Sequence, residues 1–330
     1  MNARKEPKCM SPARDVGTLV PESQPGSPIS PLPSPSASLN GHYLGKTAQI
    51  VAACRATETG KPADAGKLHD PWAINFAGVA GMEILETIRK FSPGTAAALE
   101  GYVVERTLFL DGVLNETLAQ PDMRQVVVAA VGGDARPYRI AFPQGTVLYE
   151  MDLPEVLRYR FTVFGRTQAK AACDLRSLGV DLSQDTWHHE LMTAGFDPSK
   201  PSVWIVEGLL MYLTTNQCGR LIAKIGSLCQ PGSLICGDLF TEEFVTYSQT
   251  KHVHNIWHDC GASRPDYYIE EPQMWFSKFD FGAHLKKCKD LGAGWGVEEK
   301  VNGVDFDVSL MEDSDQSPRP LFFKATKQAT

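Results

Sequence analysis

The chain has 330 residues, of which 43% are hydrophobic, and a formal net charge of −7 from 39 acidic and 32 basic side chains. That is enough apolar material for one large core, and the acidic balance argues against a protein that grips nucleic acid by its phosphates, which requires a basic face. No run of 18 apolar residues occurs, so no membrane-spanning helix is expected. Near Met1 there is no apolar stretch of secretory-signal length, and Glu6, Asp15 and Glu22 weigh against a transit peptide. The cysteines (Cys9, Cys54, Cys173, Cys218, Cys229, Cys236, Cys260 and Cys288) are scattered and form no CxxC pair. This spacing reads as reduced thiols, and the expectation is a cytoplasmic protein.

Residues 1–45 form a Pro/Ser-rich segment, densest from Gln24 to Ser36. It cannot bury enough apolar surface to offset chain entropy, so a disordered tail is expected. From Lys46 the pattern turns globular. Thr47–Thr57, Gly81–Phe91 and Thr95–Leu118 read as helices, the last two separated by Ser92-Pro93-Gly94. Gln125–Val131 is a short apolar run bounded by Asp122 and Gly132-Gly133, as expected of a strand buried on both faces. Thr146–Glu150 is a second strand, and a helix follows over Leu153–Val163. Ser202–Glu207 is the next strand, Thr215–Cys229 a helix ended by Gln230-Pro231-Gly232, and Ser233–Phe240 another strand. Trp295–Val301 and Leu321–Ala325 are candidates for two more. Alternation of this kind predicts an α/β fold with a doubly wound, mostly parallel sheet. The domain is expected over residues 46–330, with 46–120 as a helical cover and 121–330 as a Rossmann-like core.

In an open parallel sheet, ligands bind at the carboxyl ends of the strands. The first strand ends at Val131-Gly132-Gly133-Asp134, where glycine lets a ligand approach the backbone. Asp152, about 20 residues beyond the turn, ends the second strand, where an acid accepts hydrogen bonds from ribose hydroxyls. These are parts of a nucleoside site. The turn is not GxGxxG, which argues against a pyrophosphate-bearing ligand. Gly45-Lys46-Thr47 is no P-loop, because Asn40 occupies the position of the upstream glycine.

The segments Arg124–Arg139 and Leu148–Leu157 resemble the leucine carboxyl methyltransferase family, most of all its branch of S-adenosylmethionine-dependent methyltransferases common in bacteria. Further matches follow in order: Thr47-Ala48 to Arg55-Ala56 and Glu58, Asp70-Pro71-Trp72-Ala73, Arg106-Thr107 to Asp111, Ala194-Gly195-Phe196-Asp197, Glu207–Leu213 and Pro231-Gly232-Ser233. The resemblance implies a class I methyltransferase-like fold with a seven-stranded sheet, and S-adenosylmethionine as cofactor. It implies cofactor contacts from Gly132 and Asp134, from Asp152 as the ribose acid, and from Asp174-Leu175 as the pair that meets adenine, with Asp181-Leu182 as a competing pair. Arg106, or else Arg55, is expected near the cofactor's carboxylate, and Glu207 near its ammonium group. Tyr212 would lie towards the methyl acceptor, which the resemblance makes a carboxylate, or a hydroxyl, of a small molecule or peptide; no general base stands out. The chain departs from the family in having Ala130-Val131-Gly132 in place of Gly-Ala-Gly and Asp134-Ala135-Arg136 in place of Asp-Thr-Arg.

Plainer readings stand beside these. Asp152 also reads as an ordinary strand-end acid, Arg106 as a solvated helix residue and Glu207 as a helix-start acid, while Trp204 and Tyr212 are more often core aromatics than substrate contacts. His252, His254, His258 and Cys260 supply zinc-ligand types, but the first two share no helical face, so a loop cluster is the preferred reading. His188-His189 read as a helix start. Two other functions remain open: a degenerate methyltransferase fold kept for binding, favoured by Ala130, and a nicotinamide-dependent oxidoreductase, disfavoured by the missing glycine fingerprint.

Overall fold

The structure, a computed structural model, describes residues 45–246, 268–288, 300–301, 304–305 and 319–329. The expected tail, apart from Gly45, the His252–Cys260 cluster and most of the Trp295–Val301 strand lie outside the described residues.

Helices open the described chain, as the sequence predicts: α1 (Lys46–Thr59), α2 (Ala73–Phe91) and α3 (Pro93–Leu118). The pattern locates α3 well but places its start late. Pro93 is the first residue of α3, where a missing N–H costs nothing, so Ser92 alone separates the two helices. The second helix starts earlier than expected and carries a break at Gly78, whose φ of 57° and ψ of −172° no helix accommodates.

The sheet follows in alternation: β1 (Gln125–Ala129), α4 (Arg136–Arg139), β2 (Val147–Asp152), α5 (Pro154–Thr167), β3 (Asp174–Gly179), α6 (Trp187–Thr193) and β4 (Ser202–Val206). After a short 3-10 turn (Leu210–Tyr212) come α7 (Thr215–Leu228), β5 (Leu234–Leu239), α8 (Glu242–Thr246), α9 (Pro272–Ser277) and β6 (Phe281–Lys287). The two-residue strands β7 (Lys300–Val301) and β8 (Val304–Asp305) pair with each other, and β9 (Leu321–Lys327) closes the described fold. The main sheet has seven strands in the order β3-β2-β1-β4-β5-β9-β6. It is parallel from β3 to β5, while β9 runs antiparallel between β5 and β6.

The apolar run of β1 has the predicted meaning. Val127 and Ala129 pack on one face with Trp187 and Leu191 of α6 and Ile222 and Ile225 of α7. Val126 and Val128 pack on the other with Leu110 and Leu114 of α3 and Leu157 of α5. Helices therefore cover both faces, which is the doubly wound arrangement. A third apolar cluster lies among α1, α2 and α3 and the inner side of α5 (Ile50, Phe76, Leu85, Tyr102 and Phe164). Strand β6 was not legible because it is an edge strand, bonded on one side only, and Gly282–Lys286 are half-buried or exposed. The pairing with β9, not the pattern, makes it a strand.

Helices α1 and α2 approach closely at Gly81, where an added Cβ would lie 2.6 Å from the carbonyl oxygen of Gln49. On helix propensity alone Gly→Ala is worth about 1 kcal/mol. We expect Gly81→Ala instead to lower stability by about 1–3 kcal/mol through overpacking. Gly112, in α3 with nothing within 4 Å of its Cβ position, should respond with a gain of up to about 1 kcal/mol. Urea denaturation of the two variants should move the midpoint in opposite directions.

Candidate functional site

A cleft opens at the carboxyl ends of β1 and β4, beneath α1 and α3. It encloses about 850 Å³ of empty space, its mouth included, and is lined by Thr47, Val51 and Arg55 of α1, Tyr102 and Arg106 of α3, the turn Ala130–Arg136, and Glu207, Gly208, Met211 and Tyr212 beyond β4.

The turn after β1 is held from behind. The Gly132 N–H donates to Asp152 Oδ2 at 2.8 Å, and the Leu153 N–H donates to Oδ1 of the same carboxylate at 2.8 Å. Burial pushes the Asp152 carboxyl up, against the opposing pull of these two backbone bonds. Arg160 Nη1 donates to the carbonyls of Gly132 and Asp134 at 2.8 and 2.7 Å. Its Nη2 meets Glu150 Oε2 at 2.5 Å, and Ser177 donates to Glu150 Oε1 at 2.7 Å. Arg55 bonds the intervening Gly133 carbonyl at 2.8 Å and Asp70 at 3.0 Å. Three successive carbonyls of the turn are thus fixed by guanidinium groups from α5 and α1.

Two residues of the turn sit in the left-handed region: Ala130 at φ 59° and Gly132 at φ 48°. Glycine adopts this freely, whereas alanine pays about 1–2 kcal/mol. The space beside Gly132 is open, with the nearest heavy atom 4.0 Å from an added Cβ.

The cleft wall is strongly charged. Glu207 Oε1 accepts from Arg106 Nε at 3.0 Å, and Oε2 accepts from Arg136 Nη1 at 2.7 Å. Burial pushes Glu207 up, but Arg136, Arg106 and Arg55 override it and hold its carboxyl far below the usual carboxylate range. Arg106 Nη1 also reaches Asp238 Oδ2 at 3.1 Å, and Tyr102 donates its hydroxyl to the same oxygen. The other Asp238 oxygen accepts from the Gly208 N–H at 2.6 Å. Burial, followed by the Asp238 carboxylate, pushes the Tyr102 phenol well above its ordinary value. Arg136 Nη1 further binds Asp134 at 2.5 Å and Nε binds Asp111 at 2.7 Å, while Arg139 bonds both Asp111 oxygens at 2.5 and 2.8 Å.

Of the residues expected from the sequence, Arg106, Gly132, Asp134, Glu207 and Tyr212 line the cleft together, as does Arg55. Tyr212 is 39% exposed there, and Trp204 is wholly core. Asp152 stands behind Gly132. Asp174 and Leu175 require correction. They open β3 at its amino end, roughly 17 Å from its carboxyl end at the rise of an extended strand. Asp174 is paired with Arg176 at 2.6 Å and its side chain is 54% exposed, while Leu175 packs beneath the sheet. It is Asp181-Leu182 that follows the carboxyl end of β3, beside β2, where the Val180 N–H donates to the Asp152 carbonyl at 2.8 Å. Sequence reasoning gave no role to Tyr102, Arg139, Arg160 or Asp238. Polar residues within apolar stretches, such as Asp238 in β5, were the available signal.

The family model for leucine carboxyl methyltransferase matches residues 48–226, more than half of the chain. The chain belongs to the leucine carboxyl methyltransferase family. A relative from Mycobacterium tuberculosis (strain ATCC 25177 / H37Ra), named "Putative S-adenosyl-L-methionine-dependent methyltransferase", is 36% identical over 208 residues, which is 59% of this chain and 65% of that protein. A similarly named protein of Mycolicibacterium smegmatis is 35% identical over 202 residues, 58% of this chain and 65% of its own length. The chain therefore spans just under two thirds of the length of these relatives. A crystal structure from Thermobifida fusca YX, described as that of "a putative methyltransferase", superposes with a TM-score of 0.55 at 15% identity, covering 91% of this chain and all of that one. It shares the fold, and the seven-stranded sheet of this family member is class I methyltransferase-like.

Two variants probe the turn and the wall. Ala130→Gly should raise stability by about 0.5–1 kcal/mol, the relieved left-handed alanine outweighing the extra freedom of glycine in the unfolded chain; a lower urea midpoint would contradict this. Glu207→Gln should cost about 3 kcal/mol at neutral pH by leaving two guanidiniums partly uncompensated. Because Glu207 is depressed in the folded state, its contribution is complete above its ordinary value of 4.5 and is lost as pH falls below it. The gap between wild type and variant should therefore narrow in acid denaturation series.

Proposed function

We propose that the cleft binds S-adenosylmethionine and that this protein methylates a carboxylate of a small molecule or peptide. The observation that carries the reading is the open space beside Gly132 at the carboxyl edge of the sheet, backed by Asp152, in a chain of this family. The residues fit the group. Asp152 uses its carboxylate on two backbone N–H groups and keeps lone pairs for ribose hydroxyls. Asp181-Leu182 replaces Asp174-Leu175 as the pair beside the adenine. Glu207, kept ionised by its two arginines, faces the cleft as an acceptor for an ammonium group. Among the described residues no helix is long and apolar enough to cross a membrane, and no cluster of metal-ligating side chains occurs.

When bound, S-adenosylmethionine supplies a methyl group on a leaving group that is already activated, so the protein's task is alignment and exclusion of water. The lining supports an acceptor that arrives ionised. The carboxylates on the wall, Asp70, Asp134 and Glu207, are each tied to a guanidinium. The Tyr102 hydroxyl is occupied by Asp238 and raised in pKa, and among the described residues neither histidine, lysine nor cysteine lines the cleft. A hydroxyl acceptor would profit from a general base; a carboxylate needs none. Helices α1 and α3 roof the cleft and limit water.

Calorimetric titration with S-adenosylmethionine, S-adenosylhomocysteine and NAD tests the cofactor. Heat is expected with the first two and none with NAD, and the reverse would make the protein a nicotinamide enzyme. The acceptor class is tested by the lability of the transferred methyl group: release as methanol in mild alkali marks an ester, and an alkali-stable product would overturn the carboxylate assignment. Cofactor binding without transfer to any acceptor would support the binding-only reading, which the strained Ala130 favours.

A further inference from the structure

Gly78 divides helix α2 into two parts that are anchored to different bodies. At φ 57° and ψ −172°, it occupies a region of backbone space open essentially to glycine alone. An added Cβ there would meet nothing within 4 Å, so conformation and not crowding requires the glycine. The flanking Ile74 and Val79 are 50% and 41% exposed, and little packing braces the break.

The part before the break, residues 73–77, belongs to the sheet body. Phe76 is fully buried, and its ring packs edge-on against Tyr159 and Phe164 of α5, with centroids 6.2 and 5.3 Å apart. The Tyr159 hydroxyl donates to the Asn75 carbonyl at 3.3 Å, and Phe76 Cβ lies 3.4 Å from where a Cβ on Gly133 would sit. The part after the break, residues 79–91, belongs to α1. Gly81 sits against the Gln49 carbonyl, and Arg89 Nη2 donates to the Thr57 hydroxyl at 3.0 Å. Helix α1 in turn brings Thr47, Ala48, Val51 and Arg55 to the cleft. Three covalent links join α1 and residues 79–91 to the rest of the described fold, and none is helical. They are the stretch 60–69, Gly78, and Ser92 at φ −150° and ψ 67°.

We propose that Gly78 is a hinge, and that α1 and residues 79–91 move about it as one lid that opens and closes the cleft. In hinged closure a few residues absorb the dihedral change while the flanking elements stay rigid. Helix α3 stays with the sheet, held by Arg106 on Glu207 and Asp238. The lid slides over α3 where side chains are small: Ala52 and Ala53 of α1 share an apolar cluster with Ala96 and Ala98 of α3. Polar ties hold the lid shut. Arg55 donates from Nη2 to the Gly133 carbonyl at 2.8 Å and from Nε to Asp70 at 3.0 Å, and Arg89 Nε donates to Glu100 at 2.8 Å. A molecule that touches both α1 and the turn after β1 makes the two sets of contacts together only when the lid is shut. It therefore favours that state by its differential affinity. The hinge does not depend on what that molecule is.

Double electron–electron resonance on the full chain tests this, with spin labels carried on a keto amino acid so that the native cysteines stay untouched. The pair Lys46 and Glu83 lies within the lid, Asn115 and Arg158 lie within the sheet body, and Glu83 and Arg158 span the hinge; all four residues are exposed. The ligand-free chain is expected to show two distances for the spanning pair and one for each of the others. Arg55→Gln, which removes the tie to Gly133, enlarges one of the two populations, the open one, and S-adenosylhomocysteine empties that same population. Gly78→Ala, barred from the hinge conformation, holds the spanning pair at one distance that neither change moves; should it fail to fold, the other arms decide alone. A single spanning distance, the same in wild type, in Arg55→Gln and with S-adenosylhomocysteine, would overturn the hinge. So would a distance within the lid that varies along with the spanning one, because the two helices would then not move as one body. Calorimetric binding of S-adenosylhomocysteine with no change in the two populations would overturn closure around a ligand. Two populations that respond to Arg55→Gln in a chain that does not bind S-adenosylhomocysteine support the hinge and contradict the methyl-donor reading alone.

Discussion

Glu207 stands between Arg106 and Arg136, and the cleft depends on that arrangement. The three residues come from different parts of the chain: the loop after β4, the helix α3 and the short helix after the β1 turn. One carboxylate, a single residue beyond the end of β4, therefore links the helical cover to the edge of the sheet. Buried ion pairs seldom add net stability over apolar packing, because desolvation consumes the Coulombic gain. Their breakage is costly, however, and this makes them effective at specifying one geometry. Here the geometry specified is the width and direction of a cleft.

A second charged assembly does the same for the floor. Arg160 is fully buried, between Phe76 and Phe164 at 5.7 and 5.3 Å from its guanidinium carbon. It reaches through the core from α5 to hold the carbonyls of the β1 turn, with Glu150 and Ser177 behind it. The turn contains an alanine at positive φ, a conformation that persists only when its surroundings over-determine it. The arginines from α1 and α5, together with the Asp152 carboxylate, provide that constraint. Preorganisation of this kind suits a reaction in which the protein contributes alignment more than acid–base chemistry.

Much of the fold was legible because its signals are local. Strand β1 is apolar on both faces, and that pattern is diagnostic of a buried parallel strand; Pro231-Gly232 ends α7 in the expected manner. Strand β6 was not legible, since its partly exposed edge position erases the pattern and only its pairing with β9 defines it. Of the residues expected at the site, Gly132 and Asp152 were placed by the strand pattern, whereas Asp134 and Glu207 were expected from the family resemblance; the structure puts Gly132, Asp134 and Glu207 on the cleft and Asp152 behind Gly132. Asp174-Leu175 misled because the same dipeptide recurs at Asp181-Leu182, and composition does not say which copy lies at which end of a six-residue strand. The pairs Arg136–Glu207 and Arg106–Asp238 were unreadable, because charges brought together from positions 71 and 132 residues apart leave no periodic trace.

The central claim is that a fixed ring of paired charges shapes a cleft for an adenosyl amino acid. A crystal structure of the complex with S-adenosylhomocysteine addresses it most directly. The account predicts the sulfur within the cleft beside Gly132, the ribose hydroxyls at Asp152, and Glu207 still bridging Arg106 and Arg136. A nucleoside bound elsewhere on the protein, or a cleft in which Glu207 has left both arginines to admit it, would contradict the account.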